Sequence, residues 1–286
     1  MSKFLAENAL QKVVYASFIE EVNALKPGNV SSYANGHGMS LSDFTQSAAL
    51  VTPILCNRSL TVGERINHSV VRTMEALSCN TNLGMLLLFA PIIRAAEHKS
   101  DKNVHLQQSV AEILHGMDSF DTSRICEAIR IANPGGLGNS KKFDVGSPVN
   151  SNILEVMAEA SHKDSIARQY VTNFQEIFSI GLVAIKDFNS RWNSVEWATV
   201  ASYMTFLTEI PDSHIQRKYG VAAAEDIKIK ASQIAETFKN NTNPVDAKKT
   251  LLEFDTELKN AGINPGTSAD LTAASLLVYK LTENNN

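Results

Sequence analysis

The chain has 286 residues, 44% hydrophobic and 20% charged, a balance that supports a buried core and excludes wholesale disorder or a rod-like repeat. Its 26 Lys and Arg against 30 Asp and Glu leave a net charge of −4, and no basic run exceeds a pair such as Lys141-Lys142, so the footprint of a nucleic-acid binder is missing. Cys56, Cys79 and Cys126 are odd in number, widely spaced and without a C-x-x-C, which argues against a disulfide framework or zinc knuckle and for a reducing cytoplasm.

The N-terminal stretch carries Glu7 and lacks a long apolar segment with a small-residue cleavage site, so it does not read as a secretory signal. Leu10, Val13, Val14, Phe18, Val22 and Leu25 recur at helical spacing, and Pro27-Gly28 ends that first helix. Ser40 with Asp43, and Thr61 with Glu64, predict capped helices near 41–57 and 61–78. The most apolar stretch, Leu83 to Ala96, is interrupted by Pro91 and Arg94 and is too short to span a membrane, so it predicts a buried core helix. Helical spacing continues near 82–97, 104–116, 121–132, 150–161, 164–188, 193–208, 221–239, 245–260 and 267–282. Nothing alternates with period two. The prediction is an all-α protein, a single compact domain of about ten to twelve helices over 1–282, with a frayed tail at 283–286. The stretch 133–150 is the one long irregular segment, and loops of that length are usually functional or disordered.

No H-E-x-x-H, G-x-S-x-G or P-loop pattern is present, and Gly136-Leu137-Gly138 fails the dinucleotide fingerprint because Lys141 stands where the third glycine belongs. The seven histidines show no metal-ligand spacing. Polar residues at helix ends remain. Glu21 with Lys26-Pro27-Gly28 presents an ammonium and backbone amides that suit a phosphate, although a plain Pro-Gly helix stop accounts for the same residues. Asn80-Thr81-Asn82-Leu83-Gly84 either caps the apolar helix or seats a phosphate at its N-terminus, and Gly84 in the first turn hints at a close backbone approach. The glycines and lysines of 135–144 suit a polyphosphate, with Asp144 available for Mg²⁺ or proton abstraction, unless the segment is simply a surface loop. Asp164 and Arg168, four apart, read as an ion pair on one helix face. Pro211-Asp212-Ser213-His214 with Arg217-Lys218, and Asn264-Pro265-Gly266-Thr267-Ser268-Ala269-Asp270, complete the set, and Thr267 with Asp270 reads as a capping box.

These sites in this order resemble the triphosphoribosyl-dephospho-CoA synthase family, on its archaeal and methylotroph-like branch. The resemblance runs from about Ala16 to Tyr279 and is carried by Glu21-Val22, Lys26-Pro27-Gly28, Gly36-His37, Asp164 to Tyr170, Pro211-Asp212-Ser213 with Arg217, and Asn264 to Leu271. One departure stands out: where the citrate-lyase type has asparagine-threonine-histidine-lysine-glycine, this chain has Asn82 and Leu83 in place of histidine and lysine. The resemblance implies a cytoplasmic enzyme that moves the triphosphoribosyl group of ATP to the 2′-hydroxyl of 3′-dephospho-CoA and releases adenine, with Mg²⁺ as cofactor and no nucleic-acid or membrane partner. A homo-oligomer is compatible with it. It implies that Glu21, Lys26, Gly28, Asn80, Asn82, Gly84, Lys141 and Arg168 form the nucleotide-binding set. Asp144, Asp164, Asp212 and Asp270 share the catalytic duty, with Asp144 and Asp164 on the metal. The alternatives are a related nucleotide-dependent transferase acting on an acceptor of one-carbon pterin cofactor metabolism, or a non-catalytic helical protein that binds a nucleotide or a partner.

Overall fold

The computed structural model describes residues 7–98, 105–134 and 151–283, which contain fourteen α-helices, one π-helical turn and one 3-10 turn. In chain order the helices are α1 (Glu7–Asn23), α2 (Leu41–Leu55), α3 (Val62–Leu77), α4 (Leu83–His98), α5 (Leu106–Gly116), α6 (Ser119–Ala132), α7 (Ile153–Ala160) and α8 (Ser165–Val171). There follow the π turn Ile177–Gly181, α9 (Leu182–Trp192), α10 (Val195–Glu209), α11 (Ser213–Tyr219), α12 (Val221–Asn240), the 3-10 turn Pro244–Ala247, α13 (Lys248–Asn260) and α14 (Gly266–Glu283). Among the described residues β pairing is limited to two isolated bridges, Ser31 with Ala34 and Gly36 with Met39. The all-α class stands.

Two helices exceed the predicted range. The stretch 164–188 splits because Asn173 and Phe174 take left-handed φ of 52° and 58°, and Phe174 N–H bonds the Gln169 carbonyl at 2.8 Å. Phe174 is fully buried and packs edge-on to Tyr170, so burial of its ring holds a backbone that spacing alone would read as continuous helix. The other addition, α11, is only seven residues long and starts at its Asp212 cap. The predicted capping boxes at Ser40–Asp43 and Thr61–Glu64 are both formed.

Helix α4 is the core helix that its composition predicts, with Leu86, Leu88, Phe89, Ala90, Ile92 and Ile93 fully buried. Pro91 does not break it. Proline has no N–H to give the carbonyl four residues back, and that carbonyl, on Leu87, instead accepts the Tyr170 hydroxyl at 2.7 Å. The same bond fastens α8 to α4. At the far end of α4, Glu97 takes both ends of the buried Arg65 guanidinium at 2.8 and 3.2 Å, tying α4 to α3. Helix α14 joins the two largest apolar clusters: Leu271, Ala274, Leu277 and Val278 belong to the cluster around α4, and Ala269 to the cluster of α10, α12 and α13. Its Thr272 and Ser275 hydroxyls bond carbonyls four residues back at 2.7 and 2.8 Å, so they stay satisfied inside a buried helix. This packing brings the first turns of α4, α8, α11 and α14 to one place.

Candidate active site

The Lys26-Pro27-Gly28 turn is a clasp and not a phosphate contact. Lys26 has no exposed surface; its ammonium donates to the carbonyls of Glu21 (2.6 Å), Val30 (3.2 Å) and Ala24 (3.4 Å) and lies 3.3 Å from the buried Glu21 carboxylate. Burial raises Glu21 and lowers Lys26 from their ordinary values, each opposed by its partner. Gly28 sits at φ 84°, a conformation that favours glycine; its N–H bonds Asp255 at 2.8 Å, and a β-carbon there would press on Pro265 and Leu258. Tyr203 hydroxyl holds the Pro27 carbonyl at 2.6 Å. What the clasp presents is the next residue, Asn29, whose side-chain amide bonds Asn264 at 2.8 Å. Asn29 and Asn264 both line a cavity of about 390 Å³, whereas Glu21, Lys26 and Gly28 stand behind its wall.

One wall of that cavity is apolar, built from Met39, Phe44, Leu87, Ile129, Val156 and Met157. The polar end is made by helix starts. Asn80 side chain caps α4 by accepting from Leu83 N–H at 3.1 Å, and the amides of Gly84 and Met85 find no acceptor among the described residues. Asn82 side chain donates to Ser47. Thr81 is 7% exposed, lines the cavity and has a hydroxyl without a partner among the described residues. A buried unpaired hydroxyl beside unpaired amides at a helix N-terminus is arranged for an anion. Lys163 stands exposed at the cavity edge.

The aspartates separate by environment. Asp212 is buried behind the cavity and uses both oxygens: Oδ1 accepts from His214 and Ile215 amides at 2.9 and 3.1 Å, Oδ2 from Ser268 amide and hydroxyl at 2.7 and 2.8 Å. It fastens α11 to α14 and has nothing left for catalysis. Asp164 lines the cavity but caps α8 through Ile166 and Ala167 amides with Oδ1 and pairs with Arg217 through Oδ2, so both oxygens are engaged. The predicted Asp164–Arg168 pair does not form, because Arg168 reaches Glu176 at 2.9 and 3.2 Å and lies away from the cavity. The Thr267–Asp270 capping box does not form either: Thr267 hydroxyl bonds Ser213 and accepts from His214 N–H, leaving Asp270 to the cavity.

Asp270 is the carboxylate without commitments. No donor among the described residues hydrogen-bonds it, and it leans on the first turn of α4, where a β-carbon on Gly84 would collide with its carboxylate. The close approach that Gly84 hints at in the sequence is therefore made by Asp270. Desolvation first, then the negative charges of Glu21 and Asp212, hold its carboxyl well above the usual carboxylate range, with Arg217 opposing.

The cavity thus gathers Asn80, Asn82, Gly84, Asp164 and Asp270 from the predicted set. Lys141 and Asp144 lie outside the described residues. Asn29, Thr81, Lys163, His214 and Asn264 are cavity residues that the predicted set lacks. His214 and Asn264 fall inside quoted motifs, but neither has a spacing that marks it; Thr81 stands out only once its burial is known. Among the described residues no group of three or more His, Cys, Asp or Glu is placed to hold a metal ion; of the two expected metal ligands Asp144 lies outside those residues, and Asp164 is engaged by the Ile166 and Ala167 amides and by Arg217. No helix of these residues is long and apolar enough to cross a membrane.

The chain is 22% identical over 292 residues to a probable 2-(5″-triphosphoribosyl)-3′-dephosphocoenzyme-A synthase of Malonomonas rubra, an alignment covering 93% of this chain and 84% of that one. No solved structure gives a significant match. The profile of the CitG family matches residues 7–286, which is nearly the whole chain and takes in every helix lining the cavity, and on that match the protein belongs to the ATP:dephospho-CoA triphosphoribosyl transferase family.

Proposed function

We propose that this cavity is the transfer centre, where the first turn of α4 seats the triphosphate of ATP and Asp270 takes the proton of the acceptor hydroxyl. Transfer breaks an N-glycosidic bond through an oxocarbenium-like state, so a site must neutralise phosphate charge, accept the hydroxyl proton and let the base leave. Asp270 carries the reading: it is the one described cavity aspartate whose oxygens no donor occupies, desolvation and neighbouring negative charge raise its affinity for a proton, and it touches the helix end that offers the unpaired Thr81 hydroxyl and amides. Asn80 and Asn82 serve that seat indirectly, as a cap and as a strut to Ser47. Because the described residues build no metal centre, the reading assigns Mg²⁺ to the triphosphate of the Mg·ATP substrate. Incubation with Mg·ATP and 3′-dephospho-CoA should release adenine and yield an adduct whose mass is that of dephospho-CoA plus triphosphoribose; absence of both products from folded protein refutes the proposal.

Leu83 favours a second reading of the acceptor. It lines the seat as a buried apolar side chain, so this position offers phosphate no ammonium. A charge aimed at the transition state contributes to rate more than to binding, on the order of 100–1,000-fold per donor. The protein is then a slow triphosphoribosyl transferase toward dephospho-CoA or a faster one toward another hydroxyl acceptor. Introducing Asn82→His with Leu83→Lys should raise turnover with dephospho-CoA and leave ATP affinity within a few-fold; an unchanged rate would remove this second reading.

A further inference from the structure

His214 is a cavity side chain for which the roles above have no use. It enters from the first turn of α11, where its backbone N–H is fixed by Asp212 at 2.9 Å and Thr267 at 3.1 Å. Its ring lies against the first residue of α14, where a β-carbon on Gly266 would stand 2.6 Å from Nδ1. The imidazole is thus held in place by backbone bonds and close packing, yet neither ring nitrogen has a hydrogen-bond partner among the described residues. Residues 266 and 270 are one helical turn apart on one face of α14, roughly 6 Å along its axis, so the ring and the Asp270 carboxylate flank the same stretch of cavity.

Transfer sets three tasks, and with Lys163 exposed at the cavity edge the uncommitted groups of the cavity interior divide among them. The α4 amides and Thr81 are suited to phosphate, and Asp270 to the hydroxyl proton. The departing base still needs a donor, and Arg217, committed to Asp164, does not supply it. Resting on the transferase reading, we infer that His214 is a catalytic group, its imidazole N–H donating a hydrogen bond to N3 or N7 of the adenine, the ring nitrogens nearest the breaking bond, as that base leaves. The charge state suits this task. Burial, then Arg217, Lys218 and His37, push the imidazole down to about 4 against the opposing charge of Asp164, so at neutral pH it holds one N–H and no positive charge. The proton stays on His214 throughout. The electron pair of the C1′–N9 bond goes to the purine, the acceptor oxygen bonds C1′ as its proton passes to Asp270 and then to water, and adenine takes one proton from water, so no net proton is gained or lost.

The test measures release of the nucleobase, adenine from ATP and the matching deazaadenine from 7-deaza-ATP and 3-deaza-ATP, by the wild-type protein, His214→Ala and His214→Gln, each checked for an intact melting transition. With ATP, His214→Ala should lower kcat about 100-fold or more while KM for ATP stays within about threefold, and His214→Gln, which keeps a neutral donor, should recover part of the loss. The wild-type advantage should vanish with whichever analogue lacks the contacted ring nitrogen and persist with the other, a pattern that a packing role for His214 would not produce. An active wild type with a His214→Ala protein of equal kcat, or an advantage equal for all three nucleotides, would overturn the inference alone. A wild type that releases no adenine from Mg·ATP in the presence of 3′-dephospho-CoA would overturn the transferase reading and this inference with it.

Discussion

Lys26 and Asp270 are both ionisable groups near the cavity, and their surroundings give them opposite duties. Lys26 spends its ammonium on three carbonyls and a buried carboxylate, so removing it strands the Glu21 charge in the core. Breaking a buried pair in this way costs about 3–5 kcal/mol. We expect Lys26→Ala to lower the denaturant midpoint strongly; a folded variant of wild-type stability with weakened ATP binding would return Lys26 to phosphate duty.

Asp270 should do the reverse. Its carboxyl is raised in the folded state, so the unfolded chain, ionising near the ordinary value of 3.8, gives up its proton first as pH rises. Stability from this group is present below that value and is lost as pH climbs toward the raised folded value. Asp270→Asn should therefore melt higher than wild type at pH 7, with the gap closing as pH falls toward 4. Loss of a positioned base should also slow adenine release by about 100-fold or more. Equal melting temperatures across that pH range would show that the carboxyl is not held out of water.

At the scale of elements, the cavity exists because helix starts are pinned to one another by side chains at their ends. Asp212 binds the amides of two helices, Asp164 caps α8 while pairing with Arg217 of α11, and Tyr170 of α8 supplies the donor that Pro91 withholds from α4. Tyr170→Phe would leave the Leu87 carbonyl buried without a partner, a loss of about 1–3 kcal/mol. Since Leu87 and Ile166 line the cavity, the variant should also raise KM for ATP beyond what its melting temperature explains. Stability within 0.5 kcal/mol of wild type by urea titration, a typical surface-substitution effect of about that size, would argue that water replaces the hydroxyl.

Over the whole molecule, the cavity is walled by segments from residue 29 to residue 270, joined through α4 and α14. A ligand seated there bridges elements remote in sequence and binds only when they are assembled. Mg·ATP at about 100 times its Kd should then stabilise the fold by about 2.7 kcal/mol. At roughly 2–4 °C per kcal/mol for a large domain, the melting temperature should rise by several degrees. No shift with millimolar Mg·ATP would place the nucleotide elsewhere.

The amino-acid sequence by itself determined the all-α class, the capping boxes at Ser40 and Thr61, the buried character of α4 and the family, because helical period, cap chemistry and motif order are local patterns. It also marked Gly84 as a place of close approach. Spacing could not reveal the break at Asn173-Phe174, since the apolar rhythm continues across it and burial of the Phe174 ring holds the turn. Nor could it sort the carboxylates: Asp164, Asp212 and Asp270 each sit beside a helix start, and only the fold shows that donors occupy both oxygens of the first two and leave the third facing Gly84. Lys26 reads as a surface cation in a Pro-Gly turn, and burial turned it into a clasp. Local structure follows from neighbours in the chain, whereas the reactivity of an ionisable group depends on desolvation and on partners brought from as far as 250 residues away, and those are set when α4 and α14 pack together.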